Sequence, residues 1–179
     1  MHAVDLFCGV GGFHLALRRA TGNHKVVFAC DIDDECRKIY TKNFGIEPAG
    51  DIRNAIDKIP SHNLLMAGFP CQPFSKSGSQ LGFSDKTRGT LFHEISKIIE
   101  RHEPSLVLLE NVRNLDSHDE GKTIQVICGR LDELGYDVHR EILSPHEFGI
   151  PHHRPRIFIV GIHRKKVGKS SQFTFPYPL

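Results

Sequence analysis

Six short apolar runs, near 2–7, 25–30, 64–67, 105–109, 136–142 and 156–162, alternate with amphipathic stretches near 12–20, 33–43, 89–102 and 121–134, with glycine, proline or aspartate at the joins. Runs of strand length separated by runs of helical period predict βαβ units, an α/β fold with a mostly parallel sheet flanked by helices. A short seventh strand near 47–50 and a helical turn after Asp51 complete the expectation. At 179 residues the chain has room for one substantial core. Its longest apolar runs are far too short to span a bilayer. Met1 leads within four residues to Asp5, which is not how a secretory signal begins. The reading is a cytoplasmic protein with no membrane partner.

Composition excludes little else. Hydrophobic residues at 39% and charged residues at 25% are globular values, so a disordered chain is excluded. Five cysteines (Cys8, Cys30, Cys36, Cys71, Cys128) are odd in number and form no CxxC pair. That argues against a disulfide framework and a four-cysteine zinc site, and predicts reduced thiols. None of the twelve histidines lies at a recognisable metal-ligand spacing, so no metal is expected. A net charge of +2 neither requires nor forbids a nucleic-acid partner.

In an open α/β sheet, ligands sit at the carboxyl ends of the strands, and the chemistry-bearing residues of this chain fall there. Gly9, Gly11 and Gly12 follow strand one and open a helix, which lets backbone approach a ligand and offers free amides. The loop departs from the dinucleotide fingerprint because His14 stands where a third glycine is needed. Asp31 closes strand two about twenty residues on, where an acid can hold ribose hydroxyls, so a nucleoside site is favoured over a bare turn. Asp51 can accept from an adenine amino group or cap the next helical turn; the sequence leaves both open.

Cys71 lies in Gly68-Phe69-Pro70-Cys71-Gln72-Pro73-Phe74-Ser75, just past the apolar run at 64–67. Two flanking prolines stiffen the loop and bar regular hydrogen bonding, the setting of a presented nucleophile rather than of a packed thiol. Segment 72–88, with Lys76, Lys86 and Arg88, reads as a lid able to meet a phosphate backbone. Glu110 ends the run Leu106-Val107-Leu108-Leu109, where burial favours the protonated form; the alternative is an ion pair with Arg154 or Arg156. Those arginines alternate at the entrance of the last apolar run, so both face one way and can hold an anion or a carbonyl. The final residues, Ser170 to Leu179, read as a polar tail with exposed Phe173, Phe175 and Tyr177.

Taken in order, these segments resemble the DNA cytosine-5 methyltransferase family. DLFCGVGGF at 5–13 is similar to its S-adenosylmethionine loop and GFPCQPFS at 68–75 to its cysteine motif. RGTLFHEI at 88–95, ENV at 110–112 and HHRPRIFIVG at 152–161 follow in the family's order. The likeness runs from Val4 to about Ile162, with His152 where the family usually has glutamine.

The resemblance implies a Rossmann-like S-adenosylmethionine-dependent methyltransferase fold, with 1–165 as catalytic and cofactor-binding domain. Residues 166–179 would be a tail leading towards a target recognition domain. Cys71 would attack cytosine C6, Glu110 would bond the ring N3 and exocyclic amine, Arg156 would reach O2, and Arg154 would support the cysteine loop or a phosphate. Phe7 would flank the adenine of the cofactor and Ile32 pack against it, with Asp31 on the ribose and Asp51 on the amino group. Ile52, Pro70 and Leu91 would complete that pocket. The other four cysteines are packing residues.

The family's recognition domain and its final Asn-Ser segment have no counterpart here. DNA is therefore the expected partner, together with a second polypeptide or a C-terminal region carrying target recognition, and apolar surface beside helix 12–20 should lie uncovered. Bacterial nucleoid-associated use goes with this reading. A transfer RNA cytosine-5 methyltransferase and a non-catalytic binding fragment are the alternatives.

Overall fold

The computed structural model describes residues 1–70, 90–167 and 173–178. Strands β1 (His2–Leu6), β2 (Lys25–Cys30), β3 (Leu64–Gly68), β4 (Leu106–Val112), β5 (Tyr136–Leu143) and β6 (Arg156–His163) form one sheet in the order β2-β1-β3-β4-β6-β5. The β2-β1-β3-β4 side is parallel, whereas β6 runs antiparallel between β4 and β5. The sheet is thus mostly parallel, as expected, and mixed through β6.

Helices α1 (Gly12–Ala20), α2 (Asp34–Phe44), α3 (Leu91–His102) and α4 (Lys122–Glu133) follow the predicted stretches to within two residues. A short α5 (Arg164–Val167) follows β6. Two starts carry a side-chain cap. Asp33 accepts the Cys36 N–H at the head of α2, and Thr90 accepts the His93 N–H at the head of α3. Gly45 and Gly121 take left-handed conformations at the end of α2 and the start of α4.

Alternate residues of β1 sort the core. Val4 and Leu6 point to one face, where Phe92, Ile95, Ile98 and Ile99 of α3 and Ile124, Ile127 and Leu131 of α4 close over Leu65, Ala67, Val107 and Leu109. Ala3 points to the other face, where Leu17 of α1 meets Val26, Leu64 and Met66. Among the described residues, helices cover that second face on its β1 side only. Over β4 and β6 it carries two apolar hollows of 390 and 420 Å³, which share Leu143, Phe158 and Pro176. Val10 and Leu15 are also exposed, in line with the uncovered surface expected beside the first helix.

Three expectations need correction. No strand forms at 47–50; Ala49 makes one parallel bridge to Cys30, with its N–H and C=O bonded to Ala29 and Asp31, because Pro48 interrupts the ladder. The fourth strand runs on to Val112, because β6 pairs with it as far as Val112↔Arg156, so Glu110 sits within a strand rather than at its end. Phe173 and Phe175 are half-buried, the Phe173 ring 5.0 Å from that of His139, since the apolar face gives the tail somewhere to lie. Tyr177 is exposed as expected. The helical turn after Asp51 exists as two 3₁₀ turns, Ile52–Asn54 and Ile56–Lys58.

Candidate active site

The turn after β1 is held in an uncommon backbone conformation. Phe7 takes φ +55°, Gly9 φ +52° and Gly11 φ +97°, and the turn closes with the Gly11 N–H donating to the Cys8 carbonyl at 2.9 Å. A bulky residue at positive φ is a genuine outlier, and such strain persists only where its surroundings enforce it. A Cβ on Gly11 would stand 2.1 Å from the Phe44 ring, so glycine is needed there for conformation and for space. Gly12 opens α1 with nothing within 4 Å of a Cβ position.

Asp31, just past β2, accepts the Gly9 N–H at 2.8 Å on Oδ2 and the Asp33 N–H at 2.9 Å on Oδ1. It is therefore a strut for the glycine loop, and each oxygen keeps a second lone pair. Ile32 is 72% exposed beside it, a large apolar side chain turned to open space. Asp51 caps the 3₁₀ turn by accepting the Arg53 N–H at 3.0 Å, and the Arg53 guanidinium occupies the same carboxylate. This hydrogen-bonded pair holds its carboxyl below the usual range. The capping alternative is the one adopted.

A cleft of about 540 Å³ opens at the carboxyl ends of β1, β2, β3 and β4. It brings together Phe7, Asp31, Ile32, Asp51, Ile52, Pro70 and Leu91 with Glu110, Arg154 and Arg156. Gly9, Gly11 and Gly12 do not line it; Gly9 reaches it through Asp31. Cys71 and segment 72–88 lie outside the described residues, and Pro70, the residue before Cys71, lines the cleft.

Glu110 and Arg156 are diagonal neighbours on the antiparallel strands β4 and β6 and face the same way, with Arg156 Nε 2.8 Å from Glu110 Oε1. Burial raises the Glu110 carboxyl above its ordinary value, while Arg156 and, more weakly, Arg154 pull it back. Both anticipated forces therefore act on one group. A carboxyl poised in this way can donate to or accept from a ring nitrogen, and the guanidinium beside it can polarise a carbonyl.

Three positioning residues were not singled out from sequence. Asn111 is buried and donates from Nδ2 to the Phe69 carbonyl at 2.8 Å, which ties β4 to the segment entering the cysteine motif. Gly68 leaves room for the acid, since a Cβ there would lie 3.3 Å from Glu110 Oε2. Ser144 accepts the Arg154 N–H at 3.0 Å on Oγ and forms a capping box with Glu147 around the turn Pro145–Phe148. The Ser-Pro-His-Glu spacing was the available signal for this last one.

The family model for C-5 cytosine-specific DNA methylase matches residues 1–179, the whole chain. The chain belongs to that family. It is 48% identical over 177 residues to type II methyltransferase M1.ScrFI of Lactococcus lactis subsp. cremoris, which covers 98% of this chain and 45% of the relative. M.DsaV of Dactylococcopsis salina is 45% identical over 98% of the chain and 49% of its own length. M.HhaI of Haemophilus parahaemolyticus is 41% identical over 98% and 53%. The chain thus spans about half the length of the curated relatives it matches. Among solved structures, the S. pombe Dnmt2 methyltransferase superposes with a TM-score of 0.74 at 24% identity, covering 97% of this chain and 53% of that one; at this identity it shows the methyltransferase fold alone. Among the described residues no helix is long and apolar enough to cross a membrane.

Proposed function

We propose that this C-5 methylase chain is the catalytic half of a DNA cytosine-5 methyltransferase that uses S-adenosylmethionine. The observation that carries the reading is one cleft shared by two chemistries: the Glu110–Arg156 pair and the approach to Cys71 on one side, the Phe7, Asp31 and Ile32 wall on the other.

The cofactor wall fits a nucleoside. Asp31 offers lone pairs to hydroxyls, Ile32 and Phe7 offer apolar surface to a flat ring, and the left-handed Gly11 lets the backbone come close. Asp51 could serve the ring's amino group only by exchanging it for Arg53. When bound, S-adenosylmethionine supplies the electrophilic methyl group.

The Cys71 thiolate adds to C6 of the base, and the displaced electron pair makes C5 nucleophilic. Glu110 bonds N3 and the exocyclic amine as charge spreads over the ring, Arg156 meets O2, and Arg154 holds the cysteine loop or a phosphate. After methylation the C5 proton leaves to a base, the C5–C6 double bond re-forms and the C6–S bond breaks, returning the thiolate. The target base must be flipped out of the duplex to reach this cleft.

Further protein, in cis or as a second polypeptide, supplies target recognition in this reading. The relatives' greater length and the apolar hollows over β4 and β6, which no helix covers among the described residues, support it. The description of the matched family, C-5 cytosine-specific DNA methylase, favours DNA over transfer RNA, and methylating both side by side separates the two. The deciding experiment is covalent trapping on 5-fluorocytosine DNA with S-adenosylmethionine, with and without a complementary polypeptide. A denaturation-resistant adduct that Cys71→Ser abolishes is expected. No adduct under any condition would overturn the catalytic reading.

A further inference from the structure

Beneath the glycine loop lies a group of polar side chains that the chemistry above does not use. Asp5 of β1 is wholly buried on the face covered by α1 and α2. Its Oδ1 has no hydrogen-bond partner among the described residues, and its Oδ2 lies 3.4 Å from the Tyr40 hydroxyl of α2. That hydroxyl is 2.8 Å from Nδ1 of His14 in the first turn of α1. The His14 backbone amide faces the Asp5 carboxyl as well. One turn beyond Tyr40, Phe44 stacks on the His14 ring at 4.0 Å and 13°, and the same Phe44 ring fills the space a Gly11 side chain would take.

We propose that Asp5, Tyr40 and His14 are positioning residues, a buried latch that with Phe44 fixes the glycine loop and so sets the affinity of the cleft for S-adenosylmethionine. This rests on the cofactor reading given above. The latch works by connectivity: β1, α1 and α2 meet at these side chains, and the strained turn at Phe7, Gly9 and Gly11 springs directly from β1. A strained turn holds its shape only while its anchors hold theirs.

Asp5 gives the latch a signature that packing alone would not. Burial pushes its carboxyl up to about 8, and Asp31 pushes the same way. The other titratable groups around it are Cys8 in the loop, Cys30 of β2, Tyr40 of α2, and His14 of α1 with Arg18 and His24 beyond it. Met66, its neighbour on β3, does not titrate. The latch is therefore neutral at Asp5 near pH 7. Above pH 8 a buried negative charge appears beside Asp31 and the loop loosens.

The test measures binding of S-adenosylhomocysteine, the demethylated product, to the full chain between pH 7 and pH 9.5 by calorimetry. Amide-exchange protection of residues 8–14 without ligand is measured at the same pH values. Wild type should lose affinity by ~10-fold across the range, about the effect of one hydrogen bond. Asp5→Asn, which keeps the shape and cannot ionise, should stay flat relative to wild type; titration of the ligand's own amine is common to both and cancels. Tyr40→Phe removes a bond that lowers the Asp5 value, so its loss should move to higher pH. This variant serves if Asp5→Asn fails to fold. Equal slopes in wild type and variants, with equal loop protection, would overturn the latch. If no protein binds the ligand, the cofactor reading fails separately, and protection of residues 8–14 alone decides: faster exchange above pH 8 in wild type only sustains the latch, and no difference removes it.

Discussion

Replacing Gly11 by alanine should be among the most damaging single-methyl additions in this molecule. At φ +97° an L-residue is strained by about 1–2 kcal/mol. The added Cβ would lie 2.1 Å from Phe44 Cε2 and 2.8 Å from Cζ, so the ring must move off the stack it makes with His14. Overpacking of this kind costs about 1–3 kcal/mol. Together they give a loss of roughly 2–5 kcal/mol, a large part of the ~5–15 kcal/mol that holds a domain folded. Urea unfolding of Gly11→Ala, Phe44→Ala and the double variant measures it. The double should be less destabilised than the sum of the singles by the overpacking part, about 1–3 kcal/mol, because the ring that clashes is gone. Gly12→Ala, with open space around its Cβ and a helical backbone, is the control and should be neutral or stabilising by about 0.5–1 kcal/mol. A Gly11→Ala variant within about 0.5 kcal/mol of wild type, or strict additivity with Phe44→Ala, would refute the account.

Glu110→Gln should reduce trapping on 5-fluorocytosine DNA by roughly 100-fold or more while leaving the fold intact, and a variant of near wild-type rate would exclude a role for the acid in stabilising the ring. Ser144→Ala removes the capping box and the acceptor for the Arg154 amide; it should cost about 1 kcal/mol in urea unfolding and slow trapping, and loss of neither would mean the turn holds Arg154 by other contacts. Burial lowers the His62 imidazole below its ordinary 6.5. The unfolded chain then binds the extra proton first, so stability falls as pH drops through 6.5 towards the lower folded value; His62→Gln should flatten that slope in unfolding curves between pH 7 and pH 5.

Much of this was legible in the sequence because its signals are local. Apolar runs marked all six strands, and Phe7, Asp31, Ile32, Pro70 and Glu110, at or near the carboxyl ends of β1 to β4, share one cleft, which the glycines of the first loop do not line. What stayed hidden depends on partners distant in the chain. Nothing around Leu106–Leu109 announces that β6 returns antiparallel beside it, yet that pairing extends β4 past Glu110 and brings Arg156 to the acid. Phe44 is an ordinary helix residue until the fold sets it on Gly11. Phe173 and Phe175 looked like exposed tail residues because no local pattern reveals an uncovered sheet face. Asp51 was undecided for the opposite reason: cap and ligand call for the same carboxylate, and only the position of Arg53 separates them.

The strand order also divides the cleft mechanically. Glu110 and Arg156 are carried by β4 and β6, each with a hydrogen-bonded neighbour on both sides, whereas Asp31 and Ile32 follow β2, an edge strand whose outer side, among the described residues, gains only the bridge at Ala49. Edges open at lower free energy than sheet interiors. Fraying at β2 would therefore unmake the wall at Asp31 and Ile32 and leave the acid–arginine pair assembled; under the proposed function, that lets the cofactor exchange through a soft margin while the groups that meet the base stay set in the rigid centre.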